Sequence, residues 1–248
     1  KIKSVFISFG YDTIETPAIE YAETLLGKYG EEGNKLIYSF EDNGGRKIAL
    51  RYDQTVPFAR LVAGNLGSLP MPFKRYQIDR VWRADKPAKG RFREFYQCDI
   101  DIIGTENLLA DCEIARVMYE VFRQLGFEKF VLKCNSRRLI NSVLEGAKVP
   151  VEKQVAVIRV LDKLEKIGRD AVARELSVFL DPKGIQKLLT VVMVEGSNEE
   201  KLKKLAGYNI VEVKEFFAIC DDFGIPQENL IFDPSLARGL DYYTGIIF

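Results

Sequence analysis

Histidine is absent from all 248 residues. That absence removes Ser/His/Asp triads, His-ligated metals and imidazole general bases, so any catalysis must rest on Arg, Lys, Asp, Glu, Tyr or a bound ion. Cysteine is scarce. Cys98, Cys112, Cys134 and Cys220 are scattered with no C-x-x-C pair, which suggests neither a zinc site nor a disulfide framework and fits a reducing cytoplasm. Net charge is also missing: 36 Lys plus Arg balance 36 Asp plus Glu, so no global field favours a nucleic-acid or membrane partner and any polyanion must be gripped locally. No apolar run approaches the length of a membrane span, and KIKSVFISFG lacks the long apolar core of a signal peptide. A soluble, cytoplasmic chain is expected. The GxGxxG and GxxxxGK[ST] cradles do not occur, nor does any internal repeat or low-complexity segment. The chain begins without Met and stops at the apolar TGIIF, so it reads as a fragment.

What is present is a hydrophobic fraction of 47% on a chain long enough for one large domain, or one domain with an insertion. Residues 1–10 read as the end of a helix closed by Gly10, and YDTIETP as a short strand reaching Pro17. IEYAETLLGKYG has apolar residues at helical spacing, ended by Gly27 and Gly30. KLIYSFEDNGGRKIALRYD predicts a hairpin around DNGG, and TVPFARLVAGN a helix with Thr55 as N-cap and Pro57 in its first turn. Residues 74–83 and 92–103 read as strands joined by ADKPAKGR. TENLLADCEIARVMYEVFRQLG predicts a long amphipathic helix ending at Gly126, and FEKFVLKCN one more strand. The order is α+β rather than a β-α-β alternation.

From residue 136 to 228 the texture becomes helix upon helix. In VEKQVAVIRVLDKLEKIG, Val151, Val155, Ile158, Leu161, Leu164 and Ile167 mark one apolar face. This block carries 15 basic and 15 acidic residues, which does not support a nucleic-acid surface. After Pro226 the text is strand-like again. The division expected is a core over 1–135, a helical insertion over 136–228 and a return to the core over 229–248.

Three clusters could carry chemistry. RVWRADKPAKGRFREFYQCDID, residues 80–101, holds six basic and four acidic residues. A strand period of two puts Phe92, Glu94, Tyr96, Cys98, Ile100 and Ile102 on one face, read as core, and Arg93, Phe95, Gln97, Asp99 and Asp101 on the other. That polar face either meets water or lines a site. Arg80, Arg83, Arg91 and Arg93, with Lys86 and Lys89, favour a site, since Arg suits a bidentate grip on phosphate. In LRYDQTVPFAR, Asp53 and Thr55 sit where a strand hands over to a helix; they are either a helix cap or part of a site. SLARGLDYYTG packs Arg238, Asp241, Tyr242 and Tyr243 together, with Gly239 permitting close backbone approach. It reads either as a turn into a strand or as a binding segment.

Taken together the clusters show a family resemblance. RVWRADKPAKGRFREFYQCDIDIIG resembles motif 2 of class II aminoacyl-tRNA synthetases, in the form found in histidyl-tRNA synthetases. LRYDQTVPFAR and SLARGLDYYTG are similar to that family's two histidine-recognition segments, in the wording of its eukaryote-like branch, and GYDTIETPAIEYAETLLGKYGEE to its motif 1 region. The resemblance implies a class II catalytic fold, a mostly antiparallel sheet flanked by helices with a helical insertion, dimerising through the motif 1 region. It implies activation of L-histidine by ATP, with Mg2+ accompanying the ATP and no protein metal site, then transfer to tRNA(His). Arg83 would hold the α-phosphate and the substrate carboxylate, Asp85 and Arg91 the adenine end and outer phosphates, and Arg238 the α-phosphate. Asp53, Thr55 and Gln97 would take the α-ammonium group; Asp101 and Tyr243 would read the imidazole nitrogens, with Tyr242 alongside. The family's motif 3 and anticodon-binding domain do not lie within these 248 residues, so a truncated catalytic region is expected. Two other readings compete. One is a histidine-sensing regulatory subunit of ATP phosphoribosyltransferase, which would be expected to lose the catalytic arginines present here; the other is a nucleic-acid-binding module, which the charge balance disfavours.

Overall fold

A computed structural model describes residues 1–29, 33–239 and 243–248. The chain divides into two compact units, Lys1–Ala110 and Asp111–Phe248.

The first unit opens with α1 (Ile2–Ser8), after which Gly10 takes a φ of 77° to turn the chain. β1 (Asp12–Thr13) then runs parallel to the long strand β5 (Phe73–Trp82). The helix expected over IEYAETLLGKYG is largely replaced. Ile19–Tyr21 forms β2, antiparallel to β4 (Lys47–Leu50), and among the described residues of this stretch only Ala22–Leu25 is helical, as α2; Gly30 lies outside the described residues. Strand pairing wins because it satisfies backbone groups along Leu50–Ile48 and tucks Glu20 inward, 2.8 Å from Arg60. β3 (Ser39–Glu41) and β4 form the anticipated hairpin, in which Gly45 takes a φ of 77° and Asp42 Oδ1 accepts from the N–H groups of Gly44 and Arg46 at 2.9 Å.

α3 (Thr55–Asn65) follows, with Pro57 and Phe58 buried. Its cap differs from expectation. Thr55 is the exposed first helical residue, and Asp53 Oδ1 accepts from Val56 N at 3.1 Å instead. A carboxylate set before the helix meets free N–H groups and the positive end of the dipole, which favours it over a hydroxyl.

β5 and β6 (Glu94–Ile103) pair antiparallel in unbroken register from Phe73↔Ile103 to Trp82↔Glu94. The two faces of β6 are reversed relative to expectation. Phe92 and Tyr96, read as core, are 67% and 62% exposed, and Cys98 is exposed too, whereas Gln97, Asp99 and Asp101 are half-buried. Buried Arg51, Gln54 and Arg75 together with Phe58 lie on the charged side and supply its partners. The outer side is made polar by Arg80, which donates to the Tyr96 hydroxyl at 3.3 Å, and by Trp82 Nε1, which donates to Glu94 at 2.8 Å.

α4 (Leu108–Leu125) leads through the second unit and stops at Gly126, φ 94°. β7 (Leu132–Ser136) is the middle strand of a sheet, parallel to β8 (Leu230–Phe232) and antiparallel to β9 (Ile246–Ile247), so strands from both sides of the helical segment share one sheet. Between them run α5 (Arg137–Gly146), α6 (Val151–Leu161), α7 (Leu164–Ile167), α8 (Arg169–Leu176), α9 (Pro182–Val192), α10 (Asn198–Lys204) and α11 (Val211–Asp222). Side-chain caps start three of these: Ser136, Asp181 before Pro182, and the Ser197–Glu200 capping box. The single apolar face expected over Val151–Ile167 is split between α6 and α7. Ile158, Leu161 and Leu164 are buried, but Val151 is 80% exposed, and Lys163 N bonds the Val160 carbonyl at 3.1 Å in a tightened last turn. The helices enclose an apolar core that includes Leu144, Val157, Val172, Leu176, Leu188, Val213 and Phe232. Among the described residues no helix is long and apolar enough to cross a membrane.

Candidate functional site

The charged face of the β5–β6 hairpin is organised by register. Cross-strand partners share a face, so Arg75 stands opposite Asp101, Gln77 opposite Asp99 and Asp79 opposite Gln97. Arg75 is 0% exposed. Its NH2 lies 2.6 Å from Asp101 Oδ2 and donates to the Gln54 carbonyl at 3.2 Å, while its guanidinium sits 4.2 Å from the centre of the Phe58 ring. The Arg75–Asp101 contact is an ion pair. Nε and NH1 of Arg75 and Oε1 of Gln97 are buried without hydrogen-bond partners among the described residues.

The electrostatics follow from this crowding. Burial, reinforced by Asp101 and Asp53 and opposed by Arg75 and Arg83, pushes the Asp99 carboxyl up to about 6. Burial also raises Asp101, with Arg75 pulling it back down and Asp53 adding to the rise. Burial lowers the proton affinity of Arg75 against the pull of Asp101, Asp99 and Asp53. Asp99 thus feels two other carboxylates and two guanidinium groups across a half-buried surface. Such a surface favours a ligand that brings positive charge and N–H donors.

Asp53, just before α3, accepts from the Tyr29 hydroxyl at 2.9 Å as well as from Val56 N. Thr55 presents its side chain to solvent on the first turn. Arg83 lies between two rings, 4.3 Å from the centre of Tyr52 and 5.1 Å from that of Phe95, and its Nε donates to the Tyr52 carbonyl at 3.1 Å. Stacked this way the guanidinium is held in place with its remaining donors to offer. In the connecting loop Asp85 and Arg91 form a loose pair at 3.7 Å, with Arg91 62% exposed. The first unit therefore brings Asp53, Arg83, Gln97 and Asp101 together around one face.

Arg238 and Tyr243 belong to the second unit. Arg238 has a φ of 46°, unusual for a side chain larger than glycine, and its NH2 is 3.3 Å from the Tyr243 hydroxyl. Its backbone is pinned from about a hundred residues upstream. Asn135 Nδ2 donates to the carbonyls of Pro234 and Leu236 at 3.1 and 2.9 Å, and Arg137 NH1 to those of Ala237 and Arg238 at 3.5 and 3.3 Å. A Cβ on Gly239 would sit 3.3 Å from Asp162 Oδ2, so glycine here permits close approach to another helix end. Tyr242 and Asp241 lie outside the described residues.

Arg75, Asn135 and Arg137 do not stand out in the sequence as site residues, and Asp99 stands out only as one of a row. For Arg75 a signal existed: the same period of two that sorts β6 puts Arg75, Gln77 and Asp79 of KRYQIDRVW on one face. Asn135 and Arg137 act through carbonyls distant in sequence, which no local pattern reveals.

The histidyl-tRNA synthetase family model matches residues 1–248. The chain belongs to that family. It is similar to the histidine–tRNA ligases of Clostridium tetani, 40% identical over 259 residues, and Aeropyrum pernix, 42% identical over 259 residues; each match takes in 100% of the chain. The chain spans 58% of the length of these two relatives. Among solved structures, the histidyl-tRNA synthetase from Nostoc sp. PCC 7120 superposes with a TM-score of 0.85 at 33% identity, covering 99% of this chain and 58% of that one. An ATP phosphoribosyltransferase regulatory subunit/histidyl-tRNA synthetase from Bacillus halodurans matches with a TM-score of 0.81 at 22% identity over 99% of this chain and 65% of that one, a likeness of fold. The fold is that of the family's catalytic domain.

Proposed function

We propose that the chain is the catalytic region of a cytoplasmic histidine–tRNA ligase, with residues 1–135 and 229–248 as its class II core and 136–228 as a helical insertion. The observation that carries this reading is the charged face of the hairpin. Asp53, Gln97 and Asp101 offer acceptors beside the stacked cation Arg83, and histidine presents the complement: an ammonium group, a ring N–H and a carboxylate.

In the proposed reaction a histidine carboxylate oxygen forms a bond to the α-phosphorus of ATP, the bond to the bridging oxygen breaks and pyrophosphate leaves. A hydroxyl of tRNA(His) then attacks the activated carbonyl and AMP departs. Asp53, Thr55 and Gln97 take the α-ammonium group; Asp101 and Tyr243 read the imidazole nitrogens, with Tyr242 alongside. Arg83 orients the carboxylate and offsets the charge developing at the α-phosphate, a role Arg238 shares, while Asp85 and Arg91 meet the adenine end and outer phosphates. No histidine of the protein is required. Mg2+ is assigned to the substrate, accompanying the phosphates of ATP. Dimerisation through the motif 1 region completes the proposal.

A histidine-sensing regulatory subunit would share the fold and the histidine pocket but not the chemistry; the presence of Arg83, Arg91 and Arg238 supports the ligase. Histidine-dependent ATP–pyrophosphate exchange by the full-length protein separates the two. Exchange is expected, with Arg238→Ala reducing it on the order of a hundredfold or more. Histidine binding without exchange would establish the sensor, and exchange with a different amino acid would overturn the substrate.

A further inference from the structure

We propose that Arg75 is a positioning residue for substrate recognition, holding the Asp101 carboxylate ionised and aimed as the acceptor for a ring N–H of histidine. The inference rests on the reading of this face as the histidine pocket. Arg75 is wholly buried, yet two of its nitrogens make no hydrogen bond among the described residues, and its third sits 2.6 Å from Asp101. An arginine present only to tie the core together would give each of its three nitrogens a partner, as Arg51 does with the carbonyls of Arg80 and Thr16 and with Asp79. Apolar residues commonly replace buried ion pairs without loss of stability, so stability alone gives no reason for this one.

The charged groups facing the pair are both carboxylates: Asp99 from β6 and Asp53 from the segment before α3. Arg83, at the end of the hairpin, acts on Asp99. With Arg75 gone, the pull that lowers Asp101 is lost, while its burial and the Asp53 charge remain, so its carboxyl moves further up and holds its proton to higher pH than in the parent. A protonated carboxyl is a poorer acceptor for a ring N–H, and affinity would return only as alkali removes that proton.

The experiment is calorimetric titration of histidine into the full-length protein, comparing the parent with Arg75→Met. The ratio of their Kd values cancels the titration of histidine itself. It should be about tenfold near pH 6.5 and shrink toward unity near pH 9. Arg75→Lys, which keeps the charge, should bring the ratio near pH 6.5 back toward unity, and adding Asp101→Asn to Arg75→Met should leave binding weak at every pH. Arg75→Gln, neutral but polar, gives the same reading should the Met variant fail to fold, with thermal melting as the check. A ratio that does not change with pH, or a Lys variant that behaves like Met, would overturn the inference and leave the pocket standing. A parent that binds no histidine would remove the pocket and the inference together.

Discussion

Asp99 shows how much a single carboxyl can reveal when it has been crowded. Its folded-state value of about 6 lies above the ordinary 3.8, so between those two values the folded chain holds a proton that the unfolded chain has released. Stability therefore falls as pH rises through that window, and the deficit is fully present at neutral pH. Asp99→Asn removes the titration, and it should raise stability on the order of 1–2 kcal/mol near pH 7.5 while the gain vanishes near pH 4. Parallel thermal melts of parent and variant across pH provide the check; a gain that persists in acid would mean that Asp99 is not held above its normal value. The row that includes Asp99 was legible in the sequence as a polar face of FREFYQCDIDII, because alternation is a property of the strand itself. Which face is covered was not legible. That depends on Arg51, Gln54 and Phe58 arriving from another segment, and the local text, with Phe92, Tyr96 and Ile100 on the opposite side, pointed the other way.

At the scale of elements, the segment Arg51–Thr55 shows one stretch of chain serving fold and site together. Asp53 both caps α3 through Val56 N and holds the Tyr29 hydroxyl, whereas Thr55 faces solvent without capping. Asp53→Ala should therefore cost about 1–2 kcal/mol, seen as a melting temperature lower by several degrees, and Thr55→Ala well under 1 kcal/mol. If both contact the substrate ammonium, each should weaken histidine binding. Equal losses of stability in the two variants would restore Thr55 as the cap. Helices and hairpins with strong local signals, DNGG and Pro57 among them, were readable because turn and cap chemistry is encoded within a few residues. IEYAETLLGKYG was misread since its helical spacing lost to pairing with Lys47–Leu50, a partner about thirty residues away. The support of Arg238 by Asn135 and Arg137 was hidden by a longer separation still, 101 residues.

The whole molecule is held together by two different kinds of interior. The first unit buries Thr16, Glu20, Arg51, Asp53, Gln54, Arg75 and Gln77, and its small apolar cluster includes Ala22, Leu25, Ile37 and Ala49. Among the described residues the second buries the polar groups of Asn135, Ser136 and Arg137 beside a broad aliphatic core. A polar interior depends on directed partners and on ionisation, while an aliphatic one depends on filled volume. The units should therefore respond differently to a cavity. Phe232, fully buried on β8 with its ring 6.4 Å from that of Phe217, is the sharpest place to make one. Phe232→Ala should destabilise the second unit by about 3–5 kcal/mol. The only tryptophan, Trp82, reports on the first unit, whereas far-UV circular dichroism is dominated by the helices of the second. In urea unfolding of the 248-residue chain, the dichroism midpoint should fall well below that of Trp82 fluorescence in the variant. If the two midpoints instead move down together by the same amount, the chain unfolds as one cooperative body, and the separate interiors are not separate folding units.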